Sequence, residues 1–321
     1  MPVQYVLISF DGCVELESWR AWMAFAQKHP DIRLTFFVSG TCFLSDDRRT
    51  LYKGPGEEPG KARIRFGGTQ SQLLERARLM NAFFRAGHEI ASHGVGHFDG
   101  AAWSAQQWLT EFQIYDRLVD DFSRNNAVGG SEGLAFGSAD IKGFRAPFLS
   151  IGPGLTPALA AHGYSYDASW AGRAGDWPAK NGNGVWKFKL ASIPLRGCKR
   201  APLSMDYNLF VAQTQENPEL LSDPARLEQT IVEAYLNYFK KNYFGNRAPI
   251  HIGHHFTDYC GKVYEQALMR FIEIIASRPD VRLCTHAQMV DVLNPGATSE
   301  AGPLRQSGPR KPTSGTASVL Q

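Results

Sequence analysis

No stretch of this 321-residue chain approaches the roughly 18–20 consecutive apolar residues that a helix needs to cross a bilayer, so no membrane span is expected. Cysteine is scarce and scattered: Cys13, Cys42, Cys198, Cys260 and Cys284 contain no CxxC pair. That argues against a structural zinc site built of paired thiolates. An odd, dispersed set reads as reduced and buried rather than as a disulfide framework. The opening Met-Pro-Val-Gln-Tyr lacks the positive and apolar regions of a secretory signal, and with unpaired cysteines it points to a cytoplasmic setting. Lysines and arginines form no dense stripe and the formal charge is only +3, so nucleic acid is not indicated as a partner. The glycines of Gly54-Pro-Gly-Glu-Glu-Pro-Gly lack the strand and helix of a dinucleotide site and read as a loop.

What is present is ordinary globular composition, 43% apolar and 20% charged. Tyr5 to Phe10 is a short β-rich run that stops at Asp11-Gly12, a buried strand with a turn. Trp19, Trp22, Phe25 and Ala26 follow at helical spacing, then a strand over Arg33 to Val38 and a long irregular stretch to Thr69. Leu73, Ala77, Met80 and Phe84 mark a helix, His88 to Ser92 a strand, and Trp108 to Phe122 a helix entered through Ser104. The alternation continues through strands near Phe144, Tyr164, Ile250 and Val281 and helices near Leu155, Leu227 and Tyr264. Strands alternating with helices predict parallel βα units in one α/β domain over 1–295. Beyond Pro295 the chain is Gly, Pro, Ser and Thr without apolar periodicity, which predicts a disordered tail over 296–321.

Chemical groups in βα architectures gather where strands end. Four strand ends carry polar residues that packing would not choose: Asp11, the pair His93 and His97, Arg145, and the run His251-Ile-Gly-His254-His255. On one helical turn, His93 and His97 would face the same way and could share one metal ion. An arginine ahead of Pro147 suits a bidentate hold on a carboxylate. His254 and His255 point to opposite faces of a strand, so one of them serves the site, and the Ile252 spacing favours His254. His29, His88, His162 and His286 read as structural or surface residues.

Ser9-Phe10-Asp11-Gly12, His93-Gly-Val-Gly-His97, Arg145-Ala-Pro-Phe148, Tyr166-Asp167-Ala-Ser-Trp170 or Asp176-Trp177, and Ile252-Gly-His254 occur in the order of the polysaccharide-deacetylase motifs. Over about Tyr5 to Val292 the chain resembles that family, the NodB-homology domain. The resemblance implies a distorted (β/α) barrel with a divalent metal, zinc, held by Asp11, His93 and His97. It implies catalytic roles for Asp11, Arg145, His254 and Asp167, and a substrate surface that includes Phe148, Trp170, Trp177 and His255. The implied reaction is removal of N-acetyl groups from an amino sugar or oligosaccharide by metal-activated water.

Two departures stand out. The family's paired aspartates are reduced to one, because Gly12 follows Asp11, and the Ser or Thr after the first metal histidine is Gly94. Asp11 therefore takes either the base's place or the ligand's, with Glu15, Asp99 and Asp206 as acids that could compensate. The alternatives are an allantoinase-like amidase acting on a non-sugar C–N bond, or a carbohydrate-binding relative without catalysis.

Overall fold

The structure, a computed structural model, describes residues 2–217 and 223–295, so the tail expected over 296–321 lies outside it. In chain order the elements are β1 (Gln4–Asp11), α1 (Leu16–Lys28), β2 (Thr35–Val38), α2 (Gln70–Arg85), β3 (Glu89–Ser92) and α3 (Ala105–Asp120). They continue through α4 (Phe122–Asn125), β4 (Gly143–Phe144), α5 (Leu155–His162), β5 (Tyr166–Arg173), β6 (Ala179–Lys180) and β7 (Trp186–Ser192). The last are α6 (Asp206–Thr214), α7 (Pro224–Tyr243), β8 (Ile250–His255), α8 (Val263–Ala276), β9 (Val281–Leu283) and α9 (His286–Leu293).

One sheet holds the strands in the order β6-β7-β5-β4-β3-β2-β1-β8, with β9 also paired to β1. Every pairing is parallel except β6 with β7. The sheet curls, in the manner of a (β/α) barrel, and leaves β7 and β8 without a direct ladder. The segment Leu203–Met205 fills that gap. It bridges Ser192 on one side and Gly253 on the other. Ser204 N–H donates to the Ala191 carbonyl, its carbonyl accepts from Gly253 N–H, and its hydroxyl donates to the His251 carbonyl. Gly253 leaves room for Met205, whose methyl would have to shift from a Cβ placed 2.8 Å away.

All of β1 but Tyr5 is buried, which suits a strand covered on both faces. Trp19 and Trp22 of α1 are fully buried and pack their rings on Phe36 and Phe10, at 4.8 and 4.5 Å between centroids. Truncating either ring to alanine costs about 3–5 kcal/mol. Capping boxes at Thr69–Gln72 and Ser104–Gln107 start α2 and α3, so the predicted Ser104 cap is observed.

Two expectations are corrected. Cys13 and Cys42 form a disulfide that ties the ends of β1 and β2 together, while Cys198, Cys260 and Cys284 are free. A scattered set hides a pair because the barrel brings neighbouring strand ends together whatever their separation in sequence. The pairing also removes one of the two grounds on which a cytoplasmic setting rested, the unpaired cysteines. The second correction concerns His93 to His97, which form an irregular loop after β3 rather than a helical turn. Among the described residues no helix is long and apolar enough to cross a membrane.

Candidate active site

A cavity of about 1030 Å³ opens at the carboxyl ends of the strands, with Asp11, Gly12, His93, His97 and His255 among its lining residues. Asp11 closes β1 and is buried. Its Oδ1 accepts a hydrogen bond from Arg145 Nη1 at 2.6 Å, and both side chains are out of solvent. Burial alone would raise the Asp11 pKa, but the Arg145 charge, with His93 and His255, outweighs it and holds the carboxyl below its ordinary value.

Arg145 follows β4 and is itself held on several sides. Its Nη2 donates to Ser9 Oγ at 2.9 Å and to His251 Nε2 at 2.6 Å, and its Nε donates to the Ala168 carbonyl at 3.2 Å. The guanidinium lies 4.2 Å over the Phe37 ring. Its carbonyl accepts from His93 Nδ1 at 2.8 Å, which leaves His93 Nε2 with the lone pair. The His97 ring sits edge-on to His93 at 5.0 Å and to Phe148 at 4.7 Å. Burial pushes the His97 pKa down to about 3, so the ring is neutral.

Opposite Asp11 stands His255, not His254. The His255 Nδ1–H donates to Asp206 Oδ1 at 2.6 Å, and its backbone N–H donates to Asp206 Oδ2 at 2.7 Å. Burial would lower the His255 pKa, yet the Asp206 carboxylate raises it above the usual value. His254 turns to the other face of β8, where its Nε2 lies 2.9 Å from the Tyr235 hydroxyl, and burial takes its pKa down to about 4. The leucine-like spacing from Ile252 pointed to the wrong neighbour, because the strand's alternation, not that spacing, decides which ring faces the cavity.

The other expected residues divide. Phe148 lines the cavity, 63% exposed and in a left-handed conformation (φ 58°). Asp167 and Trp170 are not among the lining residues. Asp167 accepts from Trp170 Nε1 at 2.7 Å and from Ser169, whose Oγ accepts the Ala146 N–H at 2.7 Å. Through Ser169, Asp167 braces the Arg145-Ala-Pro turn from behind. Trp177 is 42% exposed and outside the cavity. Asp206 was one of three acids considered as a substitute for a second aspartate; the structure pairs it with His255 instead. A signal for it was an aspartate opening a helix just after a β-like run, which also fits an ordinary helix start.

Among the described residues no three His, Cys, Asp or Glu side chains gather as a metal-ligand group. The expected trio of Asp11, His93 and His97 does not gather: Asp11 gives its Oδ1 to Arg145, and Gly12, where a second aspartate would stand, brings no side chain. Catalytic zinc is held by three protein ligands, so the residues present do not fit that centre.

Solved structures with similar architecture share little sequence with this chain. A protein of Mycobacterium smegmatis assigned as a polysaccharide deacetylase superposes with a TM-score of 0.55 at 16% identity, covering 97% of this chain and 96% of its own. One from Pseudomonas aeruginosa PAO1, similarly assigned, gives 0.54 at 13% identity, with 92% of each chain covered. This chain has the polysaccharide-deacetylase fold. The PuuE allantoinase shares that fold, at a TM-score of 0.53, 15% identity and 92% coverage of each chain. No family model and no curated protein matches the sequence.

Proposed function

We propose that the cavity hydrolyses the N-acetyl group of an amino sugar or oligosaccharide, with Asp11 as general base and His255 as general acid. The observation that carries this reading is the facing pair: a carboxylate held by Arg145, which lowers its pKa, and an imidazole held by Asp206, which raises its pKa, both lining one cavity. Asp11 takes a proton from water as its oxygen attacks the acetamide carbon. His255 Nε2 protonates the departing nitrogen, giving acetate and a free amine. Each positioned acid or base contributes typically 10²–10⁴-fold. The exposed Phe148 ring and Tyr207 and Tyr259 on the lining offer flat apolar faces for a sugar ring. The reading that the fold's solved examples are assigned to polysaccharide deacetylation supports a carbohydrate substrate. A zinc ion at His93 and His97 would be one protein ligand short, and this scheme routes no step through it.

The second reading is an amidase acting on a non-sugar C–N bond. The equally close superposition on an allantoinase and the single aspartate favour it. Acetate release from a panel of N-acetylated sugars, with and without chelator, tests the first reading. Release that survives the chelator and disappears in Asp11→Asn and His255→Ala supports it. Ring opening of cyclic ureides with no acetate from any sugar selects the second, and sugar binding without turnover defeats both.

A further inference from the structure

Glu111 is a carboxylate where an apolar side chain is expected. It lies on the face of α3 that buries Trp108, Phe112 and Tyr115, and it is 1% exposed. Among the described residues it has no ion pair. Its Oε1 accepts the backbone N–H of Val95 at 2.8 Å and of Gly96 at 3.1 Å. The Tyr52 hydroxyl reaches both carboxylate oxygens at 3.1 Å.

Val95 and Gly96 are the middle of the loop that carries His93 and His97. That loop is left-handed at Gly94 (φ 67°) and at His97 (φ 56°), and a histidine holds such a conformation only where its surroundings over-determine it. The loop's carbonyls are held from one side, since Gly94, Val95 and Gly96 accept from the backbone N–H groups of Gly40, Thr41 and Arg63. Glu111 holds two of its N–H groups from the other. Gly96 is what lets Tyr52 close in, as a Cβ there would fall 2.4 Å from its hydroxyl oxygen. An apolar residue at 111 would leave two buried N–H groups unpaired, which the loop could relieve only by turning them toward water.

We propose that Glu111 is a positioning residue: with Tyr52 it sets the conformation of the 93–97 loop and so places the His93 and His97 rings at the cavity. Its catalytic consequence rests on the hydrolase reading above, but its geometry does not. Long-range 1H–15N correlation spectra of the imidazoles separate the two. They are recorded on the full chain for wild type, Glu111→Gln, Glu111→Leu and Tyr52→Phe, with urea unfolding of each. In Glu111→Leu the His93 and His97 resonances move while those of His162, His251 and His286 stay. Glu111→Gln, whose amide oxygen still accepts both N–H groups, returns them toward wild type. The His97 ring packs on Phe148, the face offered to the sugar, so on the acetate assay Glu111→Leu raises KM severalfold and Glu111→Gln recovers most of it. Should Glu111→Leu not fold, the same selective shifts in Tyr52→Phe carry the proposal. Unmoved His93 and His97 resonances in folded Glu111→Leu or Tyr52→Phe, or equal movement of all five rings, overturn it. A wild type that releases no acetate overturns the hydrolase reading alone.

Discussion

Asp11 and His255 are Cα register partners on adjacent parallel strands, β1 and β8, so their side chains leave the sheet on the same side and meet over one cavity. Phe10 and His254, the pair before them, leave on the other side and pack against the outer helices. The proposed base and acid are thus matched by strand pairing before any loop contributes.

The two adjacent histidines are therefore separable by mutation. His255→Ala is expected to lower kcat by about 10²–10⁴, the span of a positioned general acid. His254→Gln, which can keep a hydrogen bond to Tyr235, lowers the urea midpoint and leaves kcat near wild type. Steady-state acetate release and unfolding curves for both variants check this, and the reverse pattern would return the acid's role to His254.

The pH profile follows from the two shifts. The scheme needs Asp11 ionised and its pKa lies below the usual 3.8, so the acid limb of kcat/KM falls at low pH. It needs His255 protonated and its pKa lies above 6.5, so activity persists past that pH and then declines. Asp206→Asn removes the cause of the upward shift and moves the alkaline limb down. The linked stability has opposite signs. Asp11 contributes above its unfolded pKa and the gain is lost as pH falls through the folded one. His255 contributes below its unfolded pKa and the gain is lost as pH rises through the raised one. Urea midpoints across the pH range read both.

Gly12 lines the cavity beside Asp11, and a Cβ added there meets nothing within 4 Å. Gly12→Asp is expected to add the carboxylate that the two imidazoles lack and to raise zinc affinity at least about tenfold. The left-handed backbone (φ 86°) costs an aspartate about 1 kcal/mol, so the variant still folds. Calorimetric titration of wild type, Gly12→Asp and the triple variant also carrying His93→Ala and His97→Ala decides it. Equal affinity in all three would show that the floor holds no ion.

The Cys13–Cys42 disulfide closes a loop of 29 residues, for which chain entropy gives about 3.5 kcal/mol of stabilisation. Paired alanine substitution is expected to lower the unfolding free energy by about that amount. Because Cys13 lines the cavity directly after Gly12, the same change should raise KM. Reductant reproduces both effects in wild type only.

The alternating α/β pattern, the long buried helices and the Ser104 cap were legible because each rests on local periodicity and capping chemistry. Asp11, His93, His97 and Arg145 were legible as strand-end polar residues and Phe148 through the motif resemblance, and the structure brings all five together. What was not legible depends on contacts across the barrel. Asp206 meets His255 only because α6 begins beside β8, and Cys13 meets Cys42 only because β1 and β2 are neighbours. Glu111 did leave a trace, a charge on the apolar face of α3, but a trace that names no partner.

The short segment between β7 and β8 has a further consequence. Leu203–Met205 completes the barrel wall and runs straight into Asp206 at the head of α6. The strip that joins β7 to β8 therefore also delivers the carboxylate that raises the His255 pKa, so the barrel wall and the proposed acid depend on one short run of chain.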